Sequence, residues 1–279
     1  MIQYGLRLHD AQKLLLPEQL AAVKAQGFTC VHLALSKIQG MTADPTALTP
    51  GYAMYLRSAF ADAGLDVAVL GNYLNLATPD EAALKANQAK YTAHLRFASL
   101  LGAGVVGTET GNPNTDYTYD PERSHSDEAL ETFIRNLKPV VKDAERFGVI
   151  LAIEPVWRHI VCSPQRARTV LDEINSPNLG IIFDPVNLLD ESNLAQRDQV
   201  LSDAMTLLEK EIMVIHLKDY RTETGPRTCM APGLGDMDYR EILRFAREKK
   251  PFIQATLENT KPDNAKQARE FLRQMEESM

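Results

Sequence analysis

Short runs of β-branched and other apolar residues alternate along the chain with longer stretches in which apolar positions recur every three or four residues. The short runs predict eight strands, at residues 2–6, 30–35, 66–70, 105–109, 149–154, 179–184, 212–217 and 252–258. The longer stretches predict helices at 17–26, 51–63, 80–101, 127–147, 164–174, 194–210, 239–249 and 263–275, most of them opening on Pro, Ser, Thr or Asp. Several helices end on the same device: Gly27, Gly64, Gly102 and Gly148 each stand just before the next strand, where glycine accepts the left-handed conformation that stops a helix. A repeating strand, loop, helix and glycine predicts an α/β fold, a (β/α)8 TIM barrel. A doubly wound sheet fits less well, because Gly5-Leu6-Arg7-Leu8-His9-Asp10 after the first strand is no Gly-x-Gly-x-x-Gly loop.

The connections are asymmetric. Helix-to-strand links take a few residues, whereas the strand-to-helix segments 36–50, 110–126 and 218–238 are long, and all three leave the end of a barrel where catalytic groups gather. The 279 residues match one barrel of about 250 residues with loops, and no linker or low-complexity segment divides them, so residues 1–279 are expected to form a single domain.

Composition narrows the class of function. With 44% hydrophobic and 24% charged residues the chain buries a sizeable core, and 30 basic against 37 acidic residues give a net charge of −7 without any basic run. Nucleic acid is therefore not an expected partner. Neither a leader-type start nor a long unbroken apolar window is present, which predicts a soluble, cytoplasmic protein that makes no membrane contact. Cys30, Cys162 and Cys229 are too few and too far apart for a disulfide framework or a CxxC metal knuckle, and are expected as unpaired thiols.

Four polar residues close the last four apolar runs: Glu154, Asp184, His216 and Glu258. They are 30, 32 and 42 residues apart, one strand-helix step each, so barrel closure brings them to one axis. Three carboxylates and an imidazole crowded together repel unless a cation balances them, which points to one divalent metal ion. The oxygen-rich donor set suits Mn, Mg or Co and tolerates Zn.

Other residues at the same mouth are weaker candidates. Glu109 either binds a substrate hydroxyl or ties down the loop that follows it. Lys218 and Arg221 either hold an oxyanion or phosphate or pair with an acid such as Asp219. Trp157, the one tryptophan, either stacks on a ring face of the substrate or packs at the rim. His9 follows the first strand and faces the mouth, His32 lies within the second, and His94 is expected on a helix surface or in packing. Residues 232–236 read as a turn over the site, too short for a phosphate loop.

The segments Glu154-Pro155-Val156-Trp157, Phe183-Asp184-Pro185-Val186-Asn187 and His216-Leu217-Lys218-Asp219-Tyr220 resemble the xylose isomerase-like barrel superfamily of sugar-phosphate isomerases and epimerases, and the likeness spans essentially the whole chain. That superfamily includes ketose 3-epimerases, hydroxypyruvate isomerases and inosose dehydratases. The resemblance implies that Glu154, Asp184, His216 and Glu258 are the metal ligands and that Glu154 and Glu258 are the acid/base groups. It also implies a small sugar or sugar phosphate as substrate, with homo-oligomer formation left open. A proton next to a carbonyl would then be removed to give an enediolate and returned to the same face or the opposite one. A dehydratase on the same site, or a sugar-binding barrel without turnover, is the alternative. Two departures concern the pocket: Asn187 stands where many ketose 3-epimerases have histidine, and Arg158 and His159 stand where they have a second Glu. Apurinic endonucleases of the superfamily need further histidines on strands two, three, four and six, and at the last three of these this chain has Gly71-Asn72, Glu109 and Asn187.

Overall fold

A computed structural model describes residues 1–222 and 227–279. Eight parallel strands close into a barrel: β1 (Gln3–Arg7), β2 (Cys30–Leu33), β3 (Asp66–Gly71), β4 (Val105–Glu109), β5 (Ile150–Glu154), β6 (Leu179–Phe183), β7 (Ile212–Leu217) and, last in the chain, β10 (Gln254–Leu257). The first and last strands pair in register, Gln3 with Gln254 and Leu6 with Leu257, which completes the ring. The barrel is the predicted (β/α)8 fold, and the predicted strands fall on these eight with ends shifted by two residues at most.

Around the barrel run α1 (Leu16–Ala25), α2 (Pro50–Asp62), α3 (Glu81–Leu101), the single turn α4 (Pro121–Ser124), α5 (Asp127–Phe147), α6 (Pro164–Ile174), α7 (Arg197–Leu207), α8 (Arg240–Lys249) and α9 (Ala265–Glu277). Local chemistry sets their ends. Asp80 accepts from the N–H groups of Ala82 and Ala83, Ser126 from Ala129, and Ser163 from Arg166, so each satisfies orphan donors of the first turn. At the other end Gly102 and Gly148 cap α3 and α5 at φ of 81° and 65°, a conformation that costs other residues a Cβ clash.

Two apolar layers hold the fold. Cys30, Ala68, Val69, Val105, Ala152, Ile182 and Val214 fill the barrel interior, and a larger shell lies between strands and helices. Space inside is tight: a Cβ on Gly107 would come within 2.6 Å of Val69 and 2.7 Å of Ile182. Cys30 is buried in this layer and its thiol is pushed up to about 12.

The long segments leave the carboxyl ends of β2, β4 and β7. Segment 110–126 contains α4, and segment 218–238 contains an antiparallel hairpin of β8 (Asp219–Arg221) and β9 (Thr228–Met230), neither of which the sequence pattern predicts. Residues 223–226 of that segment lie outside the described residues. Asp219 organises the rest of it: one carboxylate oxygen accepts from the N–H groups of Tyr220 and Met237 at 2.8 and 2.9 Å, and the other accepts from Gly233 at 3.0 Å. Among the described residues no helix is long and apolar enough to cross a membrane.

Candidate active site

A cavity of about 1040 Å³ opens at the carboxyl ends of the strands. Glu154 and Glu258 line it, with Asp184 and His216 buried just beneath, and all four are at most 6% exposed. The strands deliver them because each apolar run ends at the mouth, where the last inward position falls on the polar residue.

His216 is the hub. Its Nδ1 lies 3.3 Å from Glu154 Oε2 and 3.2 Å from Glu258 Oε1, yet neither ring nitrogen finds an aligned hydrogen bond. Nδ1 or Nε2 of His216 and one carboxylate oxygen each from Glu154 and Asp184 lie within 4.8 Å of one another. Oxygen and nitrogen ligands at roughly 2.2 Å and near right angles around one ion stand about 3 Å apart, which is the spacing of Glu154 and Glu258 from His216 Nδ1; Glu258 also forms a second such group with His216 and His32. A buried imidazole with unpartnered nitrogens between two carboxylates therefore fits a divalent cation.

The loop after β6 fixes two of these groups together. Asp184 Oδ1 accepts from the N–H groups of Val186 at 2.9 Å and Asn187 at 3.0 Å, while the Asn187 side-chain amide donates to Glu154 Oε1 at 2.6 Å. Lys218 reaches the same acids: its Nζ is 2.7 Å from Asp184 and 3.2 Å from Glu258. Lys218 thus pairs with acids, but with these two rather than with Asp219. Arg7 at the end of β1 adds a second cation, bonded to Asp10 at 2.8 Å and 3.5 Å from Glu258.

Charge follows from this crowding. Burial alone would raise the Glu258 carboxyl, but Lys218, His216 and Arg7 hold it well below its ordinary range. Burial works against the His216 imidazolium, and Glu154 with Glu258 overcomes it, so the ring titrates at about 9. Glu109, beside Glu154 in the β4–β5 register, is raised by burial and by Glu154 to about 7. The buried His159 has Nδ1 3.7 Å from Glu109 and is pushed down to about 4 by burial and by Arg158.

The remaining predicted residues divide. His9, Glu109, Trp157, Asn187 and Lys218 line the cavity. Arg221 does not: the hairpin begins at Asp219 and turns its side chain outward, where it donates to the Leu234 carbonyl at 2.6 Å. Trp157 meets Tyr119 edge-on at 5.3 Å and has Arg227 above its ring. His32 is buried behind His216, stacked on it at 5.2 Å, and its Nε2 lies 3.1 Å from the Tyr73 hydroxyl. His94 is buried rather than on a helix surface and lines the outer cavity.

Sequence reasoning missed Arg7, Lys37, Tyr73 and Arg227, all of which line the cavity. Arg7 carries the same signal as the acids, a charge closing an apolar run. Tyr73 and Arg227 sit in loops and Lys37 in a single 3-10 turn, where no periodicity points inward.

The model of the xylose isomerase-like TIM barrel family matches residues 20–275, most of the chain. The chain belongs to that family. Among solved structures, this xylose isomerase-like barrel is similar to 3-keto-D-glucoside 4-epimerase, YcjR, from E. coli, with 17% identity and a TM-score of 0.75 over 98% of this chain and 100% of that one. It is also similar to the probable 3-DHS dehydratase AsbF from Bacillus anthracis, at 16% identity and 0.76 over 98% and 99%, and to a D-tagatose 3-epimerase-like protein, at 19% and 0.76 over 99% and 98%. No curated protein matches the barrel significantly by sequence.

Proposed function

We propose that this barrel is a divalent-metal-dependent isomerase or epimerase of a small sugar, acting by proton transfer next to a carbonyl. The observation that carries the reading is the approach of Glu154 and Glu258 to the same nitrogen of His216, with Asp184 grouped with Glu154 and His216. Glu154, Asp184, His216 and Glu258 would hold the ion. When bound, it supplies Lewis-acid stabilisation of the negative charge that develops on the carbonyl oxygen.

The chain's own residues do the rest. Glu258, kept ionised by Lys218 and Arg7, is the base that takes the proton. Glu154, oriented by the Asn187 amide, stands ready to return one from the other side, which inverts the carbon. Lys218 supports the charge that builds up on substrate oxygens. Epimerase structures among its neighbours lend the reading support.

One observation favours a second reading. A carboxyl that titrates near 7 beside Glu154 suits donation of a proton to a leaving hydroxyl, so Glu109 would make the same site a dehydratase. One experiment separates the two. The Mn-loaded protein is incubated with a panel of ketoses in D2O and the products are read by mass spectrometry. Gain of one deuterium at constant oxygen count is the expected result, loss of water gives the dehydratase, and no exchange on any ketose removes the proton-transfer reading.

A further inference from the structure

The cations around the cavity outnumber the duties found for them so far. If a divalent ion is held as proposed, its two charges together with Lys218 balance Glu154, Asp184 and Glu258, while Arg7 has Asp10. Lys37, Lys90, Arg158 and Arg227 also line the cavity, as do the acids Glu109, Asp190 and Glu191, and among the described residues none of these four cations stands within ion-pair distance of a carboxylate.

Arg227 is the one that is built in. It stands at the foot of β9, where Nη1 donates to the Val186 carbonyl at 2.8 Å and to the Leu189 carbonyl, and its guanidinium lies 5.9 Å above the Trp157 ring. Two carbonyls and an aromatic face hold the group in one orientation, while Nε and Nη2 have no protein partner among the described residues. A guanidinium fixed in this way with open donors is prepared for a planar or tetrahedral oxyanion. Arg158, next to Trp157 in sequence and exposed, adds a second charge to the same cavity. Of the two acids there, Asp190 has one oxygen occupied by the N–H groups of Ser192 and Asn193 and by the Ser192 hydroxyl, and Glu191 is exposed.

We propose that the substrate is anionic, a polyhydroxylated ketose carrying a phosphate or carboxylate, and that this group is held by Arg227 with Arg158 against Trp157 while the carbonyl end faces Glu154 and Glu258. The substrate class rests on the isomerase reading; the anion subsite does not, and the two are tested apart.

Trp157, the single tryptophan, reports directly on the subsite. Inorganic phosphate titrated into the metal-free full chain should shift its emission saturably and more weakly as NaCl is raised. Arg227→Gln should weaken phosphate at least about tenfold, and Lys90→Gln, at a cavity cation outside the subsite, less than about twofold. Since Arg227 also braces two loops, Arg158→Gln provides a check that disturbs no loop contact, with an expected loss of about threefold or more. In the Mn-loaded chain, D-fructose 6-phosphate or D-fructuronate should bind at least about tenfold tighter than D-fructose, and whichever keeps that advantage identifies the anion. The advantage should vanish in Arg227→Gln. An emission that phosphate does not move, a phosphate affinity indifferent to both arginine variants, or fructose binding as tightly as its charged analogues would overturn the proposal. Normal phosphate binding with no affinity for any of the three sugars would uphold the subsite and bring down the isomerase reading instead.

Discussion

At the scale of single residues, two variants are expected to part reaction from metal binding. Glu258→Gln keeps the size and one carbonyl oxygen but cannot accept a proton at neutral pH. Turnover should fall about 10²–10⁴-fold, with metal and sugar affinity largely retained. His216→Ala deletes the hub and should lose metal first, activity following. Calorimetric titration with Mn beside rate measurements tells the two apart, and wild-type turnover by Glu258→Gln would make that carboxylate structural. Glu109 gives a pH signature. Its folded value of about 7 lies above the unfolded 4.5, so the folded state holds the proton more tightly. Its contribution to stability is complete below pH 4.5 and is lost as pH rises through 7. In chelator-treated protein, Glu109→Gln should gain on wild type over that interval. Parallel urea midpoints across the pH range for both proteins would argue the shift away. The four strand-end residues were legible because a lone polar residue closing an apolar run has few structural uses. Arg221 was misread because the chain enters a new strand at Asp219, and that change of direction depends on pairing with β9, which no local pattern announces.

Elements show the same division between what is local and what is tertiary. Strands and long helices were readable from periodicity, and the ends of α3 and α5 from Gly102 and Gly148. The four-residue α4 and the three-residue strands β8 and β9 are too short to carry a period, and contacts made elsewhere hold them. For the hairpin that contact is Asp219, fully buried and accepting from three backbone N–H groups of its own loop. Asp219→Asn replaces one acceptor by a donor, so a backbone N–H is left unpaired or facing another donor. The cost should be about 2–3 kcal/mol, with faster hydrogen exchange through residues 227–238. Unchanged exchange there would mean the hairpin holds itself. Gly71 makes a comparable demand inside the site, since a Cβ would fall 2.6 Å from His32 Nε2 and 2.8 Å from Tyr73. Gly71→Ala must push back the ring stacked on His216 and should weaken metal binding more than it lowers overall stability.

For the whole molecule, an ion bound only by the folded state adds stability by mass action, about 2.7 kcal/mol at a hundred times its dissociation constant. Chelation should therefore lower Tm by a few degrees and Mn should restore it, whereas a Tm indifferent to both would mean no metal is held. Barrel closure carries a further consequence, for the order of events as the chain is made. β1 pairs with β10, and the fourth proposed ligand, Glu258, follows β10 directly. A nascent chain halted after β7 would thus own three of the four ligands and two unsatisfied strand edges, one at each side of an open sheet. If an ion is held as proposed, its full capture is a post-closure event: the four donors come together only when β10 has joined β1 and β7, and until then the incomplete sheet carries two open edges.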